Sequence, residues 1–155
     1  MKILSSSRKG GFTLIELIVV IAIIAILTGI IITNLVGSKA KSRDAKRGSD
    51  LSQISLALEE YFDRCDQYPA NITNLAQSGG CPSGVTLGTF ITAIPNDPSS
   101  GNSYGYSVTG SPPTDYILYT TFEATNSVVG QSAANPSWFS SFTCISGLHY
   151  CVRPV

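Results

Sequence analysis

Lys9-Gly10-Gly11-Phe12-Thr13-Leu14-Ile15-Glu16-Leu17-Ile18-Val19-Val20-Ile21 opens the stretch whose reading decides the fold, because Phe12 to Val36 is apolar almost throughout: FTLIELIVVIAIIAILTGIIITNLV. At about 1.5 Å per residue these 25 residues make a helix of about 37 Å, longer than the ~30 Å of a bilayer's hydrocarbon core. Met1 to Gly11 precede it with Lys2, Arg8 and Lys9 and no acid. A secretory signal peptide starts the same way, but its apolar run is about 7–15 residues and ends at a small-residue cleavage site. Here the run is far longer, and Gly37-Ser38-Lys39-Ala40-Lys41 follows it. The physics therefore favours an anchor over a removable signal.

One residue breaks the pattern. Glu16 lies inside the apolar run, where a carboxylate costs on the order of 2.5–3.5 kcal/mol on insertion scales. In isolation it reads equally well as an interfacial side chain reaching the headgroups or as an intramembrane charge with a partner. Its neighbourhood decides. The string from Lys9 to Glu16, followed by an unbroken apolar helix, resembles the processing site of type IV prepilins and pseudopilins, with a short basic class III-type leader ending in Gly11, then Phe12, then Glu16 four residues on. The resemblance implies cleavage by a prepilin peptidase between Gly11 and Phe12 and N-methylation of the new Phe12 amine. It also implies assembly of identical or related subunits into a filament, driven by an inner-membrane platform and its ATPase. Cleavage leaves a cationic amine at the tip of an apolar helix, which Glu16 of a neighbouring subunit would neutralise. Removing one member of a buried pair costs roughly 3–5 kcal/mol, enough to set the register of assembly.

Charge is balanced overall, with ten basic and ten acidic residues in 155, but not locally. Lys39, Lys41, Arg43, Lys46 and Arg47 stand against Asp44 in a basic neck, whereas from Leu51 onward only Arg64 and Arg153 face Glu59, Glu60, Asp63, Asp66, Asp97, Asp115 and Glu123. The neck is read as contacting lipid headgroups before assembly. A nucleic-acid partner is not expected, since the run lacks the aromatic interleaving of single-strand binders. Positive residues flank both ends of the apolar run, so they do not orient it.

Cysteines do orient it. Cys65, Cys81, Cys144 and Cys151 form no C-x-x-C pair, and one histidine, His149, makes a zinc site with them unconvincing. Two disulfides place this half in an oxidising compartment, outside the cytoplasm. Of three possible pairings we favour Cys65–Cys81 with Cys144–Cys151, because each closes a short local loop worth roughly 2–3 kcal/mol.

The expected architecture is α+β: a long N-terminal helix packed against a small antiparallel sheet. Leu51, Ile54, Leu58 and Tyr61 recur at steps of three, four and three, and Cys65 extends the line, so the helix runs on from Ala40 to Phe62 with one apolar face. From Phe12 to Phe62 an unbroken helix would measure about 75 Å. Gly29 and Gly37 bracket Thr33-Asn34, either as a place to loosen on leaving the bilayer or as small residues for close helix packing. Ser103–Val108 and Tyr116–Phe122 read as strands joined by a turn over Gly110–Asp115, with a third strand or hairpin within Cys144–Val152. Asn71–Val85 reads as a loop that presents the Asn71-Ile72-Thr73 sequon. The expected organisation is thus a leader at 1–11, an assembly helix at 12–36, an amphipathic continuation at 37–65 and a disulfide-bonded head at 66–155.

Ile94-Pro95-Asn96-Asp97-Pro98, then Gly101-Asn102-Ser103-Tyr104-Gly105-Tyr106, is similar to a segment of the major pseudopilin of type II secretion. That family often holds calcium lower in the head. The Asp- and Gly-rich tail that supplies its ligands is absent here, and Asp97, Asp115 and Glu123 read as too scattered for a calcium loop, so no cofactor is expected. An enzyme is not expected either. There is no phosphate loop and no close acid pair except Glu59-Glu60, adjacent residues on different helix faces. Trp138-Phe139 reads as a small core anchor rather than an exposed adhesive pair. Besides the filament subunit and its secretion-machine variant, a membrane-anchored binding domain that never polymerises remains; it predicts no cleavage at Gly11 and tolerance of Glu16→Leu.

Overall fold

The computed structural model describes residues 11–99, 101–124, 133–141, 143–144 and 148–154, except for the side chains at 30–36. Contacts divide the chain into two compact units, Met1–Ser38 and Lys39–Val155.

Helix α1 runs from Leu14 to Cys65. Its first turn is closed by Thr13 and Glu16, three residues apart: the Thr13 backbone N–H and hydroxyl donate to Glu16 Oε2 at 2.8 and 2.7 Å, and the Glu16 N–H donates to Thr13 Oγ1 at 3.3 Å. This reciprocal capping box satisfies donors that a helix N-terminus otherwise leaves orphaned. In the first unit the apolar side chains point outward all round the helix: Leu14 is 76% exposed, Ile18 48% and Leu27 54%. At the far end Asp66 adopts φ 55°, its N–H reaching back to the Phe62 carbonyl at 2.8 Å, and Pro69 follows. A left-handed residue just past the last turn is a standard helix stop.

In the second unit the sheet order is β1-β2-β3, all antiparallel: β1 Gly105–Gly110, β2 Pro113–Thr121 and β3 His149–Val152. The strand expected at Ser103–Val108 therefore starts and ends two residues later. Gly110 turns the chain at φ 101°, and Gly105 lies so close to Tyr119 that a Cβ there would enter its ring. The third strand is the last four residues of the segment expected to contain it.

Central strand β2 is buried on both faces, which explains its unbroken run Tyr116-Ile117-Leu118. Tyr116 and Leu118 face the helix stripe, and Leu51, Ile54, Leu58, Tyr61 and Cys65 are all at most 2% exposed. Ile117 faces the other way, into a second cluster with Phe139, Cys144 and Cys151, against which Trp138 and Tyr119 pack. The Trp138-Phe139 pair is thus an internal anchor, with Trp138 Nε1 donating to Asp115 at 3.0 Å.

Both disulfides connect as expected, Cys65–Cys81 and Cys144–Cys151. The first fixes the loop after α1, where Asn71 Oδ1 accepts from Thr73 Oγ1 at 3.2 Å and from the Asn74 N–H at 3.0 Å. Buried tyrosines carry their hydroxyls to helix carboxylates: Tyr104 to Asp50 at 2.6 Å, and Tyr68 and Tyr116 to Glu59 at 3.0 and 3.1 Å. Each such bond spares a polar atom the cost of burial without a partner.

Candidate functional site

Two places carry chemistry. The first is the start of α1. Phe12 is 93% exposed, and a Cβ placed on Gly11 would meet no described atom within 4 Å. Leader residues 1–10 lie outside the described residues. Glu16, one turn along, spends Oε2 on the capping box, while Oε1 meets no partner among the described residues. The T-x-x-E spacing was visible in the sequence as a cap signal. The local role leaves half the carboxylate available. Among the described residues no helix is long and apolar enough to cross a membrane. The side chains at 30–36, within the run expected to span, are not among those described.

The second place corrects the reading of the basic neck. Arg47 is not on a basic surface; its side chain is wholly buried. It donates to Asp44 Oδ1 at 2.7 Å, to Asp97 at 2.7 and 2.9 Å, to Glu123 Oε1 at 2.7 Å and to Ser99 Oγ at 2.9 Å. Arg43 adds a second guanidinium on Glu123 through Nε at 2.9 Å, and Lys46 pairs with Asp50 at 3.1 Å. Asp44 in turn accepts from the N–H groups of Glu123 and Ala124, both at 2.9 Å. Of five neck cations only Lys39 and Lys41 remain without an ion pair among the described residues.

Asp97 and Glu123 are therefore not scattered. The fold gathers them with Asp44, but around a guanidinium. Among the described residues no group of three His, Cys, Asp or Glu side chains is arranged to hold a metal ion. Asp115, the third of the carboxylates read together, stays apart and pairs with Arg153 at 2.9 Å. Electrostatics follow the geometry. Arg43, then Arg47, hold the Glu123 carboxyl below the usual carboxylate range, and Arg47 does the same for Asp97. Hydrogen bonds from Arg47, first to Asp97, push its own pKa up despite burial. The signal was present in the sequence: Arg47 precedes Leu51, Ile54 and Leu58 at steps of four, three and four, on the core-facing stripe rather than beside it.

Comparison with known proteins fits this geometry. The family model of the prokaryotic N-terminal methylation motif matches residues 6–32. The type II secretion system core protein G of Aeromonas hydrophila is 34% identical over 103 residues, covering 63% of this chain and 71% of that protein. Its Escherichia coli counterpart is 32% identical over 106 residues, 64% and 72% of the two chains. The type IV major pilin protein PilA of Myxococcus xanthus is 33% identical over 101 residues, but these are 37% of its length and 65% of this chain. No solved structure matches the chain significantly. The chain belongs to the type IV pilin and pseudopilin family.

Proposed function

We propose that the chain is the structural subunit of a type IV pilus-like filament, processed by a prepilin peptidase between Gly11 and Phe12 and N-methylated on Phe12. In this reading residues 1–11 are the removed leader and 12–36 first anchor the chain in the cytoplasmic membrane, then pack in the filament core. Residues 37–65 carry the helix into a head, 66–155, outside the cytoplasm. The methylation-motif match over residues 6–32, which contains Gly11, Phe12 and Glu16, carries the proposal. Physical support comes from the first unit taken alone: a helix apolar on every side has no stable place in water and needs lipid or other helices around it. Glu16 Oε1 then pairs with the Phe12 amine of a neighbour, and Lys39 and Lys41 meet lipid headgroups before assembly. An assembly platform with its ATPase supplies the work of extraction. The role is structural, with no catalytic step assigned.

A variant of the same reading, the pseudopilin of a type II secretion-like machine, is favoured by the relatives named core protein G and by the Asp97-Pro98…Tyr104-Gly105-Tyr106 segment. Intact mass and N-terminal sequencing of surface-sheared and membrane fractions test both. A chain starting at methylated Phe12 in sheared material supports the pilus, and the same chain confined to the envelope supports the pseudopilin. A chain that keeps Met1–Gly11 beside an active peptidase overturns both. In the processed protein, Glu16→Ala is expected to leave cleavage intact and abolish filaments; unchanged filament yield would remove Glu16 from assembly.

A further inference from the structure

Two stretches of the chain carry the Asn-x-Ser/Thr spacing, Asn71-Ile72-Thr73 and Asn135-Pro136-Ser137. Proline in the middle position disqualifies the second as an acceptor of N-linked sugar. The fold also consumes it: Asn135 Oδ1 accepts from the Cys144 N–H at 2.7 Å, and its Nδ2 donates to the Phe139 carbonyl at 3.4 Å. Asn71 is held differently. Asn71 and Thr73 are exposed, and between them Ile72, 4% exposed, is seated in the core and pins the triplet to the head. Asn71 Oδ1 accepts from the Thr73 hydroxyl at 3.2 Å and from the Asn74 N–H at 3.0 Å. A backbone N–H can only donate, so the amide oxygen must face it and Nδ2 is turned away, with no partner among the described residues. The backbone N–H and carbonyl groups of Asn71, Ile72 and Thr73 likewise make no hydrogen bond among the described residues, so an enzyme can engage the triplet without breaking one.

We infer that Asn71 is the acceptor of an N-linked glycan, transferred from a polyprenyl-diphosphate-linked oligosaccharide by a membrane oligosaccharyltransferase; the inference rests on the head lying outside the cytoplasm, as in the reading above. In the transfer Asn71 Nδ2 attacks the anomeric carbon of the first sugar. The C1–N bond forms as the C1–O bond to the diphosphate breaks. Polyprenyl diphosphate leaves with the electron pair, and Nδ2 gives up one of its two protons to the enzyme's base. The product is a neutral amide, so the charge of the head is unchanged. Thr73 supplies the hydroxyl that an acceptor needs two residues after the asparagine. The adjoining surface suits a sugar. A cavity of about 370 Å³ that Ile72 and Thr73 help to line also presents Asn96, Asn102 and Ser103, all exposed and without a side-chain hydrogen bond among the described residues. The one charged group lining it, Asp97, is committed to Arg47. Neutral amides and hydroxyls beside an apolar floor match the hydroxyl and C–H faces of a sugar ring.

Intact-mass and peptide mass spectrometry of the full processed chain, purified from its native cells, test the acceptor. The expected result is a mass excess of whole sugar residues over the N-methylated chain, confined to the peptide that carries Asn71, with the Asn135 peptide bare. Asn71→Gln and Thr73→Val, made in the same cells, should each lose the whole excess, and Thr73→Ser should keep it. Thr73→Val leaves the Asn74 bond to Asn71 in place, and the Cys65–Cys81 bridge reports in the same spectra that the loop has folded, so loss by misfolding is visible. A chain that starts at Phe12 with both bridges closed and Asn71 bare, or with sugar on serine or threonine hydroxyls instead, overturns the acceptor and leaves the filament reading standing. A chain that keeps Met1–Gly11 and four free thiols fails the filament reading itself, and the acceptor with it.

Discussion

Arg47 shows how far one residue's role can depart from its neighbourhood in sequence. It stands in a run of cations, yet its side chain is wholly buried and surrounded by Asp44 and Asp97, themselves at most 1% exposed. Removing the guanidinium strands two carboxylates away from water, so Arg47→Ala is expected to destabilise the head by roughly 3–5 kcal/mol, measured by urea unfolding of the full chain in detergent. The matching Lys39→Ala, at a site exposed and without an ion pair among the described residues, should shift stability by less than about 0.5 kcal/mol. A pH dependence follows from the same cluster. Asp97 and Glu123 are held below their ordinary values of 3.8 and 4.5, so they favour the folded state fully above those values. That stabilisation is lost as pH falls through the ordinary range towards their lowered folded values. The thermal midpoint should stay level from neutrality to about pH 5 and drop below about pH 4, and Arg47→Ala should flatten this acid limb. Burial limits screening, so added salt should change the Arg47 contribution little, in contrast to the exposed charges.

At the scale of elements, α1 changes its task along its length. Its stripe from Leu51 to Cys65 was legible because 3.6-residue periodicity survives any tertiary context that buries one face. Leu58 and Leu56 make the contrast measurable, being two residues apart with exposures of 0% and 66%. Leu58→Ala is expected to cost about 2–5 kcal/mol of unfolding free energy, and Leu56→Ala within about 0.5 kcal/mol. Strand β2 was legible as a strand but not as a doubly covered one, since its second cover, Phe139 with the Cys144–Cys151 bridge, lies far along a chain with no periodicity. The Thr13–Glu16 cap is a local T-x-x-E signal that occupies Glu16 Oε2, and it is independent of any partner the carboxylate meets elsewhere.

For the whole molecule, the two disulfides guard different halves of the core. Cys65–Cys81 spans a sequence separation of 16 and holds the loop after α1; Cys144–Cys151 spans 7 and braces the second cluster. Loss of either bridge should lower stability by roughly 2–3 kcal/mol. Trp138, the sole tryptophan, separates them: Cys144→Ser with Cys151→Ser should red-shift its fluorescence, and Cys65→Ser with Cys81→Ser should not. The two units also divide by their solvent. The Lys39–Val155 unit builds its own core, whereas the described helix of the first unit exposes apolar side chains on every side.

The sequence by itself determined what local pattern and covalent chemistry decide. An apolar run beginning at Phe12 after Gly11, a helical stripe ending at Cys65, two strands around a Gly-Pro turn and four pairable cysteines all depend on residues close together in the chain. Only the tertiary structure decided the fate of the charges. Asp44, Arg47, Asp97 and Glu123 come from three separate segments, and an ion pair carries no sequence periodicity to announce it. Which cations the fold consumes and which it leaves exposed is a property of burial, because a charge inside must find its partner and a charge outside need not.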